Sequence, residues 1–187
     1  MRIMSEFGSE VLAGYTIAIR VIMFTMMPAW GMANAAATLV GQNLGAQQPD
    51  RAEASVWKTG KYNAIFLAGV TVLYLILAKP IIRLFNTEPE VVQYGSLALI
   101  IITAGYVFYG YAMVIIQAFN GAGDTGTPTW INFICFWLFQ LPLAYLTAIL
   151  LDWGPHGVFW SITIAEVLIA IIGIIWFRKG KWKLVKV

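Results

Sequence analysis

Charge is scarce in this chain of 187 residues: Asp, Glu, Lys and Arg make up 11% of it, where a soluble domain carries about 25%. So few charges cannot cover an ordinary solvated surface, which excludes a soluble globular class. There is a single cysteine, Cys135, within an apolar run. Neither a disulfide framework nor a Cys-ligated metal site can be built from it, and no metal centre or cofactor is expected. The one histidine, His156, follows Pro155 in a turn; a hydrolase or acyltransferase working at membrane depth would lack a His and carboxylate pair, and the expectation is a protein that is not an enzyme. The glycine-rich segment NGAGDTG has no following Lys and no preceding strand, so it is not a phosphate loop. The net charge of +3 lies largely in one tail and predicts no nucleic-acid partner.

What the chain has instead is length without charge. Its hydrophobic content is 60%, gathered into runs long enough to cross a hydrocarbon core of about 30 Å. The pattern predicts an all-α, polytopic integral membrane bundle with five spans, at 11–44, 62–78, 91–119, 128–151 and 157–177, and a basic tail at 178–187. Small residues in ANAAA, at 33–37, imitate a signal cleavage site, but the preceding apolar run is too long for a signal peptide and Glu6 and Glu10 occupy the segment that should be basic.

The first span is the longest, and as a helix it would measure about 50 Å, so it must overshoot the membrane or tilt. Pro28 and Gly31 predict a kink in it. Gly31, Asn34, Thr38, Gly41 and Gly45 recur at steps of three and four and form one stripe that should face protein or water, either packing helices or lining a path. Lys79 and Pro80 are expected to end the second span, with Thr87 capping the helix that begins near Pro89. Asp124 or Thr125 should serve the start of the fourth span. There Gln140 stands two residues before Pro142, which frees a backbone carbonyl beside an amide.

In the third span Tyr106, Tyr109, Gly110, Met113, Gln117 and Asn120 share a stripe. Aromatic faces attract cations and a thioether repacks around varied shapes, so the stripe suits an amphipathic organic cation, although helix packing would use the same residues. In the last span Thr163, Glu166, Ala170 and Gly173 share a face, and Glu166 is the one carboxylate expected at membrane depth. A carboxylate there is either a protonated structural group or part of an ion path. Arg20 is expected to snorkel outward rather than pair with Glu166.

Two segments carry a family resemblance. GQNLGAQQPDRA, at 41–52, resembles the cytoplasmic turn in the C-terminal half of multidrug and toxic compound extrusion (MATE) transporters, and QAFNGAGDTGTPTWIN, at 117–132, resembles their later NGAGDTxTP loop. Their order and spacing also fit. The resemblance implies that residues 1–187 are the C-terminal transmembrane lobe of a twelve-helix transporter, with an N-terminal lobe as partner. It further implies export of organic cations or drugs by antiport with Na⁺ or H⁺ through alternating access in the cell membrane. On that basis Asn34, Tyr106, Tyr109, Met113 and Gln117 are expected along the substrate path and Glu166 in ion coupling. Some branches of the family carry a carboxylate in the helix corresponding to the third span, and this chain has none there. A lipid-linked oligosaccharide flippase of the same superfamily and a non-transporting membrane scaffold are the alternatives.

Orientation follows from the basic residues. Alternating spans assign Arg51, Lys58, Lys61, Arg178, Lys179, Lys181, Lys183 and Lys186 to one side, and Arg2, Lys79 and Arg83 to the other, with Arg20 near its edge. The excess of cations makes the first side, with both family-like loops and the C-terminus, the expected cytoplasmic one.

Overall fold

The computed structural model describes residues 3–184; Arg2 and Lys186 of the charge comparison lie outside them. Every regular element among the described residues is helical. A short 3₁₀ turn, Met4–Phe7, precedes helix α1, Ser9–Gly45. Helix α2 follows as Pro49–Arg83, then α3 as Pro89–Thr103 and α4 as Tyr106–Gly121. Helix α5 runs over Gly126–Leu150 and α6 over Pro155–Arg178, with a last 3₁₀ turn at Lys181–Leu184. Helices α1, α2, α5 and α6 are each long and apolar enough to cross a membrane. Large apolar side chains such as Phe24, Ile76 and Trp137 point away from the bundle, as the lipid-facing surface of a multi-pass protein requires.

The third expected span is not one straight helix. Helices α3 and α4 meet at an angle of 57° across Ala104 and Gly105. A break in the ladder leaves carbonyls to be satisfied by neighbours, because lipid offers no donor. Two hydroxyls do so: Thr71 of α2 donates to the Thr103 carbonyl at 2.9 Å, and Thr163 of α6 donates to the Ile101 carbonyl at 2.8 Å. A side chain at Gly105 would press on Thr163, its Cβ 3.1 Å from Thr163 Cγ2. The bend is therefore held between α2 and α6 and depends on a residue without a Cβ.

Other boundaries shift for local reasons. Helix α2 includes the amphipathic segment before the expected span and continues through Pro80 to Arg83. Pro80 lies within a turn of the helix end, where one missing N–H disturbs little of the ladder. Thr87 does not cap α3, whose N-cap position is Glu88 with no side-chain cap; the Asn86 side chain accepts from the Glu88 N–H at 2.8 Å and fixes the turn ahead of the helix. Asp124 does serve the start of α5, accepting from the Thr127 N–H at 3.0 Å and from its hydroxyl at 2.6 Å. Helix α5 contains two π-helical stretches, Phe133–Gln140 and Leu146–Leu150, on either side of Pro142.

Helix α1 stays helical through Pro28. One turn before it, the buried Tyr74 hydroxyl of α2 lies 3.3 Å from the Val21 carbonyl and 3.1 Å from the Thr25 hydroxyl, fastening α2 to the weakened segment. The glycine stripe of α1 divides in two. Gly31 and Gly45 face open space, whereas a Cβ on Gly41 would approach the Gly121 carbonyl to 3.2 Å. The closest backbone approaches lie elsewhere: Gly14 of α1 faces Gly95 of α3, and Gly121 of α4 rests on the Ala37 backbone. Such contacts stand in for the hydrophobic force that lipid does not supply between helices.

At the end of the bundle that carries the basic tail, Trp182 stacks on Phe177 with ring centroids 4.7 Å apart and donates its indole N–H to the Phe177 carbonyl at 2.9 Å. Trp57 of α2 meets the same Phe177 edge-on at 5.6 Å. Lys183 completes the latch, 2.6 Å from Glu53 and 3.2 Å from Asp50. This pairing lowers the Glu53 pKa and raises that of Lys183.

Candidate functional site

Helix α4 presents its stripe to a cavity of about 280 Å³ bordered by α1, α5 and α6. Tyr109, Met113 and Gln117 all line it, spaced so that one face of α4 forms the wall. Trp30 and Ala33 contribute from α1, Asn132 and Phe136 from α5, and Ile169 from α6. Asn120 extends the wall toward the end of α4. None of these side chains is ionisable except the Tyr109 phenol.

Asn34 joins the site through an amide chain. Asn120 Nδ2 donates to Gln117 Oε1 at 2.7 Å, and Gln117 Nε2 donates to Asn34 Oδ1 at 2.8 Å. This links α4 to α1 beside the cavity, with Asn34 itself exposed. Amides and hydroxyls at such positions offer hydrogen bonds without a fixed charge.

Tyr106 is placed elsewhere. It is 0% exposed and lies in the core beside Tyr74 and Thr25 rather than on the cavity wall. As the first residue of α4 it sits at the bend end of the stripe, beyond the cavity lining, which begins at Tyr109.

Glu166 is 8% exposed, and its Oε2 is buried without a hydrogen-bond partner. It sits against the bend: a Cβ on Gly105 would lie 3.4 Å from that oxygen. Ile169, less than one helical turn further along α6, is part of the cavity wall, so the carboxyl group stands behind the cavity and beside the joint of α3 and α4. Arg20 is exposed and makes no ion pair with Glu166.

Trp30, Asn132, Phe136 and Ile169 are among the lining residues that sequence reasoning did not single out. Trp30 stands four residues before Asn34 and so shares its face of α1. That spacing was the available signal. Phe136 sits in a π-helical stretch, where a period of 3.6 fails to give its direction.

A multi-pass helical bundle with an uncharged, amphipathic cavity between its helices defines a class of membrane protein. The MatE family profile matches residues 1–146, and the chain belongs to that family. It is 28% identical over 94% of its length to the probable multidrug resistance protein NorM of Thermotoga maritima, covering 38% of that protein. It is 26% identical over its full length to the probable multidrug resistance protein YpnP of Bacillus subtilis, covering 41% of it. Among solved structures, the MATE transporter ClbM in complex with Rb⁺ superposes with a TM-score of 0.89 at 20% identity, over 97% of this chain and 43% of that one. The chain thus spans about two fifths of the length of these relatives.

Proposed function

We propose that this chain is the C-terminal lobe of a secondary active transporter that exports organic cations or drugs across the cell membrane, by antiport with Na⁺ or H⁺ through alternating access. The observation that carries the reading is the cavity wall: Trp30, Tyr109 and Phe136 supply aromatic faces, Met113 a deformable thioether, and Gln117 and Asn120 amides. Each aromatic face contributes roughly 0.5–2 kcal/mol toward a cation. The N-terminal lobe closes the cavity from the side where Asn34 is exposed, and the basic tail faces the cytoplasm. A flippase for pyrophosphate-linked sugars would present cations to its cargo, and none borders this cavity.

For coupling, Glu166 is the acid in this lobe. Its buried, unpartnered oxygen at Gly105 supports a proton or cation exchanged at the joint of α3 and α4, where binding would bias the bend. A second reading, a permanently protonated structural carboxyl, rests on the same burial. The two separate in vesicles containing the full-length transporter. With imposed proton or sodium gradients, Glu166→Gln should lose gradient-driven efflux of a fluorescent organic cation while retaining expression and substrate binding. Efflux at the wild-type rate with unchanged ion dependence overturns the coupling role. Tyr109→Ala with Gln117→Leu should weaken substrate binding whatever Glu166 does, and unchanged binding overturns the cavity assignment.

A further inference from the structure

A cavity larger than the one on α4 lies elsewhere in the bundle. About 490 Å³ lies between the end of α2 and the start of α3. The 35 residues of α2 put Arg83 about 50 Å from Pro49, so this cavity is at the membrane face opposite the basic tail.

Its lining is divided along its depth. Lys79 and Arg83, one helical turn apart on α2, stand with Thr87 at the outer end, and Gln93 continues the polar side on α3. Val92, Leu97 and Ile100 carry the wall onward along α3 into the span with hydrocarbon, and Ser96 among them spends its hydroxyl on the Gln93 carbonyl at 2.9 Å. Neither Lys79 nor Arg83 has an ion-pair partner among the described residues, whose salt bridges both belong to Lys183. Beside them Leu84 and Phe85 are 83% and 61% exposed, which places an apolar ridge at the same level. Two adjacent, unpaired cations above an apolar trough are complementary to one kind of molecule available at that depth: an acidic head on an acyl chain. An organic cation would be repelled at the mouth, and a free inorganic anion would leave the apolar trough unfilled.

We propose that this groove is a binding site for an anionic phospholipid. The phosphate is held by the Arg83 guanidinium, which can offer two parallel N–H donors, and by the Lys79 ammonium as a point charge. The Thr87 hydroxyl serves the headgroup or glycerol oxygens. One acyl chain follows Val92, Leu97 and Ile100. The lipid wedges the α2 and α3 ends on the far side of the bundle from the α4 cavity, and its occupancy is independent of the transport reading.

The test is native mass spectrometry on the detergent-purified full-length transporter titrated with dioleoylphosphatidylglycerol, with dioleoylphosphatidylcholine and inorganic phosphate as comparisons. Phosphatidylglycerol should give a saturable one-lipid adduct at concentrations where phosphatidylcholine does not. Its apparent affinity should fall roughly fivefold for each of Lys79→Gln and Arg83→Gln, the factor that about 1 kcal/mol per basic residue at an anionic lipid corresponds to. Lys79→Arg should retain it, as should the remote Lys181→Gln. Leu97→Trp, which fills the trough and leaves the cations in place, should also displace the lipid. Equal adducts with both lipids, or an adduct unchanged in the Lys79→Gln, Arg83→Gln double variant, overturns the site. Displacement of the lipid by millimolar inorganic phosphate with no effect of Leu97→Trp overturns the lipid and leaves an anion site.

Discussion

The Thr163 hydroxyl on α6 donates to the Ile101 carbonyl on α3 across 2.8 Å, four residues before the point where the third span changes direction. Thr71 does the same for the Thr103 carbonyl from the other flank. The bend of 57° is thus a joint held by two side-chain donors rather than a loose end.

Removing either donor takes a hydrogen bond from a carbonyl at membrane depth, although the Ile101 carbonyl keeps the bond at 3.2 Å from the Ala104 N–H. Thr163→Val should lower the stability of the full-length transporter by roughly 0.6–2 kcal/mol, the span of measured hydrogen bonds between membrane helices. Thermal unfolding in detergent measures it. Thr71→Val should do likewise, and the double variant should depart from additivity because both act on one joint. Wild-type melting of both single variants would mean that the joint does not need them.

Glycines should differ sharply in tolerance. At Gly121 any Cβ runs into the Ala37 backbone, so Gly121→Val should strongly reduce the amount of folded protein. At Gly31 nothing lies within 4 Å, and Gly31→Ala should be neutral or stabilise by about 0.5–1 kcal/mol through helix propensity. Membrane expression measured by fluorescence size-exclusion gives the order; equal levels of the two variants would contradict the packing.

The amide chain beside the cavity predicts a coupling between α1 and α4. Gln117→Leu and Asn34→Leu should each shift the relative affinity for chemically different substrates. Their double variant should cost less than the sum, by about 0.5–1.5 kcal/mol in binding, because the Gln117 to Asn34 hydrogen bond is lost only once. Strict additivity would mean that the two amides do not act through that bond.

The tail latch carries a pH dependence with a definite sign. Glu53 is depressed by Lys183, so its contribution is full above the ordinary Glu range, about pH 4, and disappears as the pH falls through the folded value. Lys183 is raised, so its own contribution is full below the ordinary Lys range and is lost as the pH rises through the folded value. Between these limits the latch is constant. The protection factor of amides 181–184, their exchange rate divided into the intrinsic rate at each pH, should be flat through neutral pH and fall in acid, and Glu53→Gln should give the low value at all pH values. Since the pair is partly exposed, high salt should blunt the difference.

Much of this architecture was legible because charge and length are coarse signals. The spans beginning near Val11 and Gly157 needed only hydropathy, and Asp124 was readable from its place before a helix start. Tyr109, Met113 and Gln117 were readable because α4 is regular where they lie. The break at Gly105 was not, since the bend depends on Thr71 and Thr163, which come from helices that sequence spacing does not bring together. Tyr106 lies in the core at the first turn of α4, and spacing along one helix does not say how far along it a cavity extends. Trp30 was passed over because an apolar residue on a long span draws attention only through its spacing from a polar one, here Asn34. Pro80 and Thr87 were read by rules for a helix ending in water, whereas α2 is carried past its proline by packing of Ile82 and Gly95 against the neighbouring helices.

Helix α5 has a property of another kind. Over Phe133–Gln140 and Leu146–Leu150 each turn stores more chain than a regular α-helical turn does. Such a span is a coiled reserve: tightening either stretch to the ordinary ladder would lengthen the helix and rotate everything beyond it, without moving a single loop anchor far. Phe136, which forms part of the cavity wall, lies in the first of these stretches. Deletion of one residue between 133 and 140 should therefore be taken up as a regular helix with the fold retained, and the visible change should be in which side chain faces the α4 cavity. Loss of folded protein on that deletion would show that the stored length is not available for motion.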